Sequence, residues 1–474
     1  MTTSSSDYLI ESLKSEQGLP INTGSQKVHP KRMAGRFRTL KWWTASLWLI
    51  FFLGPYLRWN EQQAILLDIP ARQFRFFNLA IFPQDVWILT FVLLFFVMLL
   101  ILLTAVAGRV FCGFFCFQTV WTDLYMWIEE RLEGPPRRRQ QLDQAPWNAE
   151  KLLRKTVKHA LWLMIAALTG VSFAAWFTDA HHLWQAYFSL QAHPAAWMVL
   201  AMFTAGTYLF AGFMREQVCF WLCPYARIQG VMYGENTALP VYDAQRGEPR
   251  QKLGAVKNQT NRGACVDCDL CVAVCPTGID IRDGQQIGCI TCGLCIDACD
   301  HVMGKLDQPK GLVSYKSLNS MRTGQGKPFY KTPLAMTAGL SLVALLLIII
   351  SSISHISEFS ISVYHHRQPE FIKLSDGAIR NRYQLKIQNK TDRAVGYQLS
   401  IIGPSEIKNQ GRVHFMLEPG EAISRTVLLD ALDIAHLAEI NAISFRLLND
   451  KGAEKMFQTV FIGPPEKTGG VWDD

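Results

Sequence analysis

The chain reads Cys265-Val-Asp-Cys268-Asp-Leu-Cys271-Val-Ala-Val-Cys275-Pro276 and then Cys289-Ile-Thr-Cys292-Gly-Leu-Cys295-Ile-Asp-Ala-Cys299. Both runs have the spacing of bacterial two-cluster ferredoxins, in which three close thiolates hold one [4Fe–4S] cluster and the fourth ligates the other cluster. This pattern predicts one cluster on Cys265, Cys268, Cys271 and Cys299, and a second on Cys289, Cys292, Cys295 and Cys275. Because such clusters accept one electron at a time, the chain is predicted to carry electrons.

A zinc site is the alternative interpretation of clustered cysteines. Zinc sites combine two pairs of ligands whose separation varies, so they have no reason to repeat the same three gaps twice. The second run ends in Cys299-Asp300, where the ferredoxin pattern has a proline. That proline shapes the backbone and is not a ligand, so two clusters are still expected.

Hydrophobic residues make up 49% of the 474-residue chain, and they are concentrated in blocks. A membrane-spanning helix needs about 20 mainly apolar residues. Five blocks are long enough, at 40–58, 85–107, 159–178, 195–214 and 333–353. The first block contains Gly54-Pro55 and lies behind a polar N-terminus without a small-residue cleavage site, which favours an anchor over a signal peptide.

The distribution of Lys and Arg predicts the orientation in the membrane. Seven Lys and Arg residues lie at or before position 41, nine lie in the loop 108–158, and fourteen lie in 215–332. By contrast, the segment 59–84 has two and the segment 179–194 has none. Positive loops stay in the cytoplasm. This bias predicts a cytoplasmic N-terminus and cysteine region, with everything after about 354 in the periplasm. Topology also explains the net charge of +8 without a nucleic-acid partner.

The other four cysteines form a repeat. Cys112 and Cys116 follow the second block, and Cys219 and Cys223 follow the fourth block at a constant offset of 107 residues. This predicts a duplicated membrane hairpin with a Cys-x-x-x-Cys motif at each cytoplasmic exit. If the helices continue through the motifs, each pair lies on one helix face. Such thiols favour Cu(I), zinc or an iron–sulfur cluster; redox-active thiols and simple buried cysteines are the alternatives.

Residues after 366 have a different pattern, in which apolar residues alternate with polar ones and turn signals such as Glu418-Pro419-Gly420 intervene. This pattern predicts an immunoglobulin-like β-sandwich. The predicted fold class is therefore an α-helical membrane protein with five transmembrane helices, a bacterial-type two-cluster ferredoxin insert and a C-terminal sandwich. The predicted domains are a flexible cytoplasmic N-terminus (1–38), duplicated hairpins (39–230), a cytoplasmic ferredoxin domain (231–332), a fifth transmembrane helix (333–353) and a periplasmic domain (354–474).

From about residue 35 to 465, this ordered combination resembles the CcoG/FixG (RdxA) family of cytochrome c oxidase accessory proteins. The resemblance implies a cupric reductase of the bacterial inner membrane that supplies Cu(I) for assembly of a cbb3-type oxidase. The implied partners are a cytoplasmic electron donor, copper or a copper chaperone, and oxidase assembly factors. The family's Cys-x-x-x-Cys-Pro motif carries over to Cys219, Cys223 and Pro224, whereas the counterpart at Cys112 and Cys116 ends in Phe117. These four cysteines are the predicted catalytic residues.

Two other functions stay open at this point. The hairpins also resemble the NapH-type subunits of quinol-oxidising systems, which favours a quinol-linked electron conduit. A non-catalytic assembly scaffold, whose clusters sense the redox state, is the other possibility. Three possibilities also stay open for the membrane-boundary cysteines: they bind copper, another cofactor or nothing.

Overall fold

The computed structural model describes residues 28–77, 79–252, 263–323, 332–366, 368–391, 393–408, 413–432 and 438–464. It divides into two compact units, Met1–Leu66 with Trp87–Ile350, and Leu67–Val86 with Ser351–Asp474. The helices in chain order are α1 (Arg36–Ser46), α2 (Leu49–Leu53), α3 (Val86–Ala107), α4 (Val110–Phe114), α5 (Phe117–Glu133), α6 (Pro136–Gln144), α7 (Ala149–Ala175), α8 (Ala180–Phe188), α9 (Pro194–Thr207), α10 (Pro224–Val231), α11 (Ala244–Gly247), α12 (Leu270–Ala273), α13 (Leu294–Lys305), α14 (Leu318–Thr323) and α15 (Pro333–Ser354).

Four helical stretches of the described residues are long and apolar enough to cross a membrane. They are α3, α7, α15, and α9 together with the π-helix Tyr208–Met214 that continues it. They correspond to four of the five predicted spans. Helix α7 begins at Ala149, ten residues before the predicted start, because the Asn148 side chain caps it by accepting a hydrogen bond from the main-chain N–H of Lys151 at 2.7 Å.

The first predicted span, 40–58, does not form one helix of spanning length. Its residues lie in α1, in the five-residue α2 and in the 3₁₀ turn Gly54–Tyr56. Helix α1 ends at Ser46, and the 3₁₀ turn contains Pro55, which has no N–H to continue a helix. A fifth span in this region therefore stays a prediction.

The N-terminal prediction also changes. Residues 1–27 of the predicted flexible segment lie outside the described residues. Residues 28–35 run along the cysteine region, where the main-chain N–H of Lys31 donates to the carbonyl of Ala273 at 2.6 Å. Helix α1 then begins at Arg36, before the predicted boundary at 38. Fixed contacts therefore replace the flexible chain predicted for residues 28–38.

The cysteine region has its own small core. Strands β6 (Leu239–Tyr242) and β7 (Val313–Lys316) pair antiparallel and bring its two ends together. Buried apolar side chains fill the space between this ribbon and α13: Tyr242, Ile281, Ile296, Met303, Leu312 and Val313. This first unit also contains the short pair β1 (Arg58–Trp59) and β2 (Gln62–Gln63).

The second unit contains the predicted sandwich. One sheet has the order β12-β14-β10-β8, with β9 paired to β10, and the other has the order β13-β11-β15-β16. The strands are β8 (Phe359–His365), β9 (Ile372–Lys373), β10 (Ile379–Asn389), β11 (Val395–Ile402), β12 (Ile407–Lys408), β13 (Val413–Leu417), β14 (Ala422–Ala431), β15 (Ile440–Asn449) and β16 (Glu454–Ile462). The predicted alternation is confirmed, because Tyr383, Leu385 and Ile387 are fully buried in a core that both sheets share.

The second unit is larger than the predicted domain, because Leu67–Val86 belongs to it. This segment contributes to a small sheet of β3 (Ile65–Asp68), β4 (Gln73–Phe76) and β5 (Leu79–Ile81). The ammonium group of Lys390 pairs with Asp85 at 2.6 Å, and both side chains are largely buried. An ion pair between distant parts of the sequence thus joins the sheet segment to the sandwich.

Candidate iron–sulfur and thiol centres

The eight cysteines of the two runs line two adjacent cavities. The outer cavity is lined by Cys265, Cys268, Cys271 and Cys299, of which Cys268 is exposed. The inner cavity is lined by Cys275, Cys289, Cys292 and Cys295, and Cys271 also reaches it. Each cavity combines three cysteines of one run with the last cysteine of the other. This is the grouping that the sequence spacing predicts for two clusters.

The same backbone conformation presents the cysteines in both runs. Asp267 and Asp269, which flank Cys268, have φ angles of 48° and 54°; Thr291 and Gly293, which flank Cys292, have 49° and 72°. Positive φ is uncommon for residues other than glycine. Successive turns of this type form a concave ring of main-chain N–H groups, which is typical of anion and iron–sulfur sites. Both loops therefore have a shape and polarity suited to an anionic cluster.

The two cavities are alike in size. Their volumes are about 360 and about 370 Å³. Apolar side chains contribute to both linings: Ile279, Ile281, Ile290 and Leu294 in the inner cavity, and Val266, Val302, Met303 and Leu312 in the outer cavity, which Asp269 and Arg282 also line. Four thiols in such a cavity fit one [4Fe–4S] cluster, whose iron atoms each take one thiolate.

Burial keeps the thiols of Cys271, Cys289, Cys295 and Cys299 protonated in the absence of iron. It raises the pKa of Cys271, Cys289 and Cys299 to about 12, and it raises the pKa of Cys295 well above its usual range. Thiolates are the form that binds metal, so iron binding must release protons. Such buried thiols are poor nucleophiles. The arrangement therefore favours metal binding over thiol chemistry.

The four remaining cysteines come together just beyond the ends of α3 and of the π-helix that continues α9. The charges of Cys112, Cys116 and Cys223 each act on the thiol of Cys219, and Cys112 interacts with Cys116 and Cys223. All are free thiols. Burial raises the pKa of Cys112 to about 11 and that of Cys219 to about 12. A redox-active thiol normally has a lowered pKa, so this environment also favours soft-metal coordination.

The sequence repeat is also a conformational repeat. In the first copy the main-chain N–H of Cys116 donates to Phe111, and in the second that of Cys223 donates to Val218, both five residues back at 2.9 Å. Each second cysteine then occupies the position immediately before the following helix, α5 or α10. The condition of a continuous helix through each motif is therefore not met. A wide π-type turn, which is rare and often found at functional sites, replaces it.

Both cysteine motifs touch the loop of the inner cavity. A Cβ atom on Gly113 would lie 2.5 Å from the carbonyl oxygen of Ile290 and 3.0 Å from the Cα of Cys292. The ring of Phe220, between Cys219 and Cys223, packs against Gly288 in the same way. Cys112 shares an apolar cluster with Ile290 and Cys292. Both cysteine motifs therefore adjoin the loop of the inner cavity through direct contacts of the chain.

A buried ionic network holds the second motif. Glu129 on α5 is fully buried and pairs with Arg139 at 3.1 Å, Arg215 at 2.9 Å and Lys158 at 3.6 Å. Arg215 ends the π-helix that follows α9 and has a φ of 47°. Such a conformation is strained for a side chain other than glycine and persists only when its surroundings hold it. Glu129 supplies that constraint.

The buried acidic residues of α5 and their cationic partners were not predicted from the sequence. Carboxylates at 123, 129 and 133 lie on the same helix as the buried aromatic residues Trp121 and Tyr125. Acidic residues on an otherwise aromatic helix were an available signal, because buried carboxylates need cationic partners. Arg137-Arg138-Arg139 entered only the charge bias, although Arg139 is itself buried.

Family models match three parts of the chain: a 4Fe-4S binding domain at residues 89–136, a 4Fe-4S dicluster domain at 214–318, and the IG-like fold at the C-terminal of FixG at 349–464. The chain is 41% identical over 398 residues to protein RdxB of Cereibacter sphaeroides, covering 81% of this chain and 83% of that protein. It is 39% identical over 404 residues to protein RdxA of the same organism, covering 82% and 85%. It is 36% identical over 424 residues to nitrogen fixation protein FixG of Rhizobium meliloti, covering 81% and 80%.

The grouping of the cysteines in two cavities predicts the iron and sulfide content of cysteine variants. Cys292→Ser should remove the inner cluster and Cys268→Ser the outer one, so each variant should lose about half of the iron and acid-labile sulfide, since each cavity supplies one set of four thiolates. Iron and sulfide analysis of the anaerobically purified full-length protein measures this, and electron paramagnetic resonance (EPR) should show a different remaining signal in each variant. Full metal content in both variants would contradict the assignment.

The Glu129 network makes a prediction about stability. Glu129→Gln leaves buried cations without their carboxylate, which costs about 3–5 kcal/mol for a buried pair, and should lower the thermal unfolding midpoint in detergent. The matched control is Glu150→Gln, because Glu150 pairs with Arg154 four residues further along α7 at 2.7 Å but is 64% exposed. It should cost no more than about 0.5 kcal/mol. Equal effects of the two changes would exclude the proposed constraint.

Proposed function

The chain belongs to the family of FixG and RdxA, and on that premise we propose that this iron–sulfur electron-transfer protein reduces Cu(II) to Cu(I) for the assembly of a cbb3-type oxidase. The proposed site of reduction comprises Cys112, Cys116, Cys219 and Cys223. The observation that carries the proposal is the direct contact of both Cys-x-x-x-Cys motifs with the loop of the inner cavity. An acceptor held there lies beside the candidate cluster site.

The thiols suit copper as a substrate. Cu(II) takes one electron and becomes Cu(I), and thiolates prefer the reduced ion. Binding exchanges thiol protons for copper, because the pKa of Cys112 and that of Cys219 are raised by burial. Among the residues that the structure describes, no three His, Cys, Asp or Glu side chains are positioned to hold one metal ion together. Cu(I) accepts two thiolates, so one pair of neighbouring cysteines is enough.

Neighbouring residues orient the thiols. Cys112 donates to the amide oxygen of the fully buried Gln229 at 3.3 Å, and the amide nitrogen of Gln229 donates to Thr104 at 3.3 Å. Arg109 donates to the carbonyl of Ile287 at 2.6 Å, close to the inner cavity. Its positive charge favours the thiolate form of Cys112. These residues hold the first motif in place, and Arg109 favours its metal-binding form. The clusters, when bound, supply electrons singly.

The charge bias of the loops supports a multi-pass inner-membrane protein with the cysteine region in the cytoplasm and the sandwich in the periplasm. The exposed Cys268 marks the outer cavity as the point where a cytoplasmic donor delivers electrons. Copper, or a copper chaperone that removes Cu(I), would then meet the protein at the four membrane-boundary thiols. Oxidase assembly factors are the proposed recipients downstream.

The test uses the full-length protein with reconstituted clusters, reduced anaerobically by dithionite and then freed of excess reductant. Added Cu(II) should reoxidise the clusters, and bathocuproine should detect Cu(I). The double variant Cys219→Ser/Cys223→Ser should lose at least about tenfold in the rate of Cu(I) formation while the cluster absorbance is kept, because the soft ligands are gone. The matched control is Trp221→Phe, which changes an exposed ring of the same turn and keeps all thiols.

Three outcomes separate the candidate functions. Unchanged Cu(II) reduction in the double variant would overturn the site assignment. Reduction of the oxidised clusters by a quinol analogue, together with inertness towards Cu(II), would replace the proposal with a quinol-linked conduit. Inertness of the intact protein towards both reagents would leave a non-catalytic scaffold.

A further inference from the structure

Three buried cations surround one carboxylate beside the inner cavity. Asp123 on α5 pairs with Arg32 at 2.9 Å, Arg38 at 2.9 Å and Lys41 at 3.6 Å. Burial alone would raise the pKa of Asp123, but these cations hold it well below its usual range. Asp123 can neutralise only one of the three positive charges. The side chain of Lys41, at 3% exposure, is the most deeply buried cation of this set.

Helix α1 is fixed between the inner cavity and the first cysteine motif. The Asp297 carboxylate accepts hydrogen bonds from the main-chain N–H groups of Phe37 and Arg38 at 2.9 and 3.0 Å. The ring of Phe37 covers Gly293, next to Cys292. Further along the helix, the hydroxyl of Thr44 donates to the carbonyl of Phe114 at 2.8 Å. Lys41 lies on α1 between these two anchors.

We infer that Lys41, supported by Arg38, raises the reduction potential of the cluster held by Cys275, Cys289, Cys292 and Cys295 above that of the outer cluster. Reduction adds a negative charge, and a buried cation nearby stabilises the charged state because the surroundings screen it weakly. Cluster potentials depend on such local charge. Lys41 thereby acts through its charge, which favours the electron on the inner cluster. The inference rests on the two clusters and is independent of copper as the acceptor.

The outer cavity has the opposite charge balance. Arg282 is a single guanidinium that pairs with three carboxylates: Asp267 at 2.8 Å, Asp269 at 2.7 Å and Asp280 at 2.6 Å. Among the described residues, which exclude 253–262, the charged groups around the outer cavity are Arg282 and Arg250 against Glu248, Asp267, Asp269, Asp280, Asp283 and Asp300. Those around the inner cavity are Arg32, Arg38, Lys41 and Arg109 against Asp123, Glu130 and Asp297.

This difference gives the electron a direction. Carboxylates in excess disfavour the reduced state of the outer cluster, and cations in excess favour the reduced state of the inner one. The charge of Lys41 also acts on the thiolate of Cys292 and favours it. An electron that enters at the exposed outer cavity is therefore drawn towards the inner cavity, which adjoins the four membrane-boundary thiols.

The experiment is a redox titration of the full-length protein with both clusters reconstituted, followed by EPR. Cys292→Ser, which is expected to keep only the outer cluster, assigns the two signals. Lys41→Met removes the charge at similar size, and Arg32 and Arg38 remain to neutralise Asp123, so the fold should be kept. The reduction potential of the inner cluster should fall by about 59 mV, which for a one-electron couple is a tenfold decrease in the equilibrium constant for reduction. The reduction potential of the outer cluster should stay the same.

Two further variants complete the test. Lys41→Arg keeps the positive charge and should retain the wild-type potentials. Lys305→Met removes an exposed charge from the far end of α13 and should change neither potential, because solvent screens it. An unchanged inner potential in Lys41→Met, or an equal shift of both clusters, would overturn the inference. Neither result would depend on whether copper is the acceptor.

Discussion

The close approach of two main-chain segments, at Gly113 and at Ile290–Cys292, is the constraint on which the candidate centres depend. Gly113 lies so near the loop of the inner cavity that any side chain there would collide with Ile290 and Cys292. The carbonyl and Cα of that loop cannot move without displacing the cysteines themselves. Glycine is therefore required for packing at this position and not for an unusual backbone angle. The contact makes the first cysteine motif and the inner cavity one continuous structure.

Helix α5 then organises the charges around that contact. Near its start, Asp123 gathers cations from residues 32–41, which fixes α1 over the inner cavity. At its end, Glu129 and Glu133 gather cations from α6, α7 and the second cysteine motif. Buried carboxylates do not by themselves add stability. Their effect here is to specify one arrangement, because each cation reaches its partner only when its own element is correctly placed.

The cysteine spacing predicted the two cavities and their cysteine groups, because the ligand positions follow directly from local loop geometry. The length of the apolar blocks likewise predicted four long helices, and the alternation of apolar and polar residues predicted the strands of the sandwich. The sequence predicted neither the break of the first block after Ser46 nor the contacts of residues 28–35. Those contacts depend on pairing between residues about 90 positions apart, such as Arg32 with Asp123. No local pattern encodes a pairing of that kind.

The two copies of the sequence repeat differ at the residue that follows each long apolar helix. At the offset of 107 residues, Gly108 corresponds to Arg215, and both have positive φ, at 58° and 47°. Glycine adopts this conformation without strain, whereas arginine does not. In the second copy, the ion pair of Arg215 with Glu129 compensates for this backbone strain. The first copy has glycine at this position and does not need such an ion pair. The strain at Arg215 and the buried charge on α5 are therefore one feature. It couples the end of the second copy to α5, the helix that directly follows Cys116, so the two thiol pairs are held by a common support.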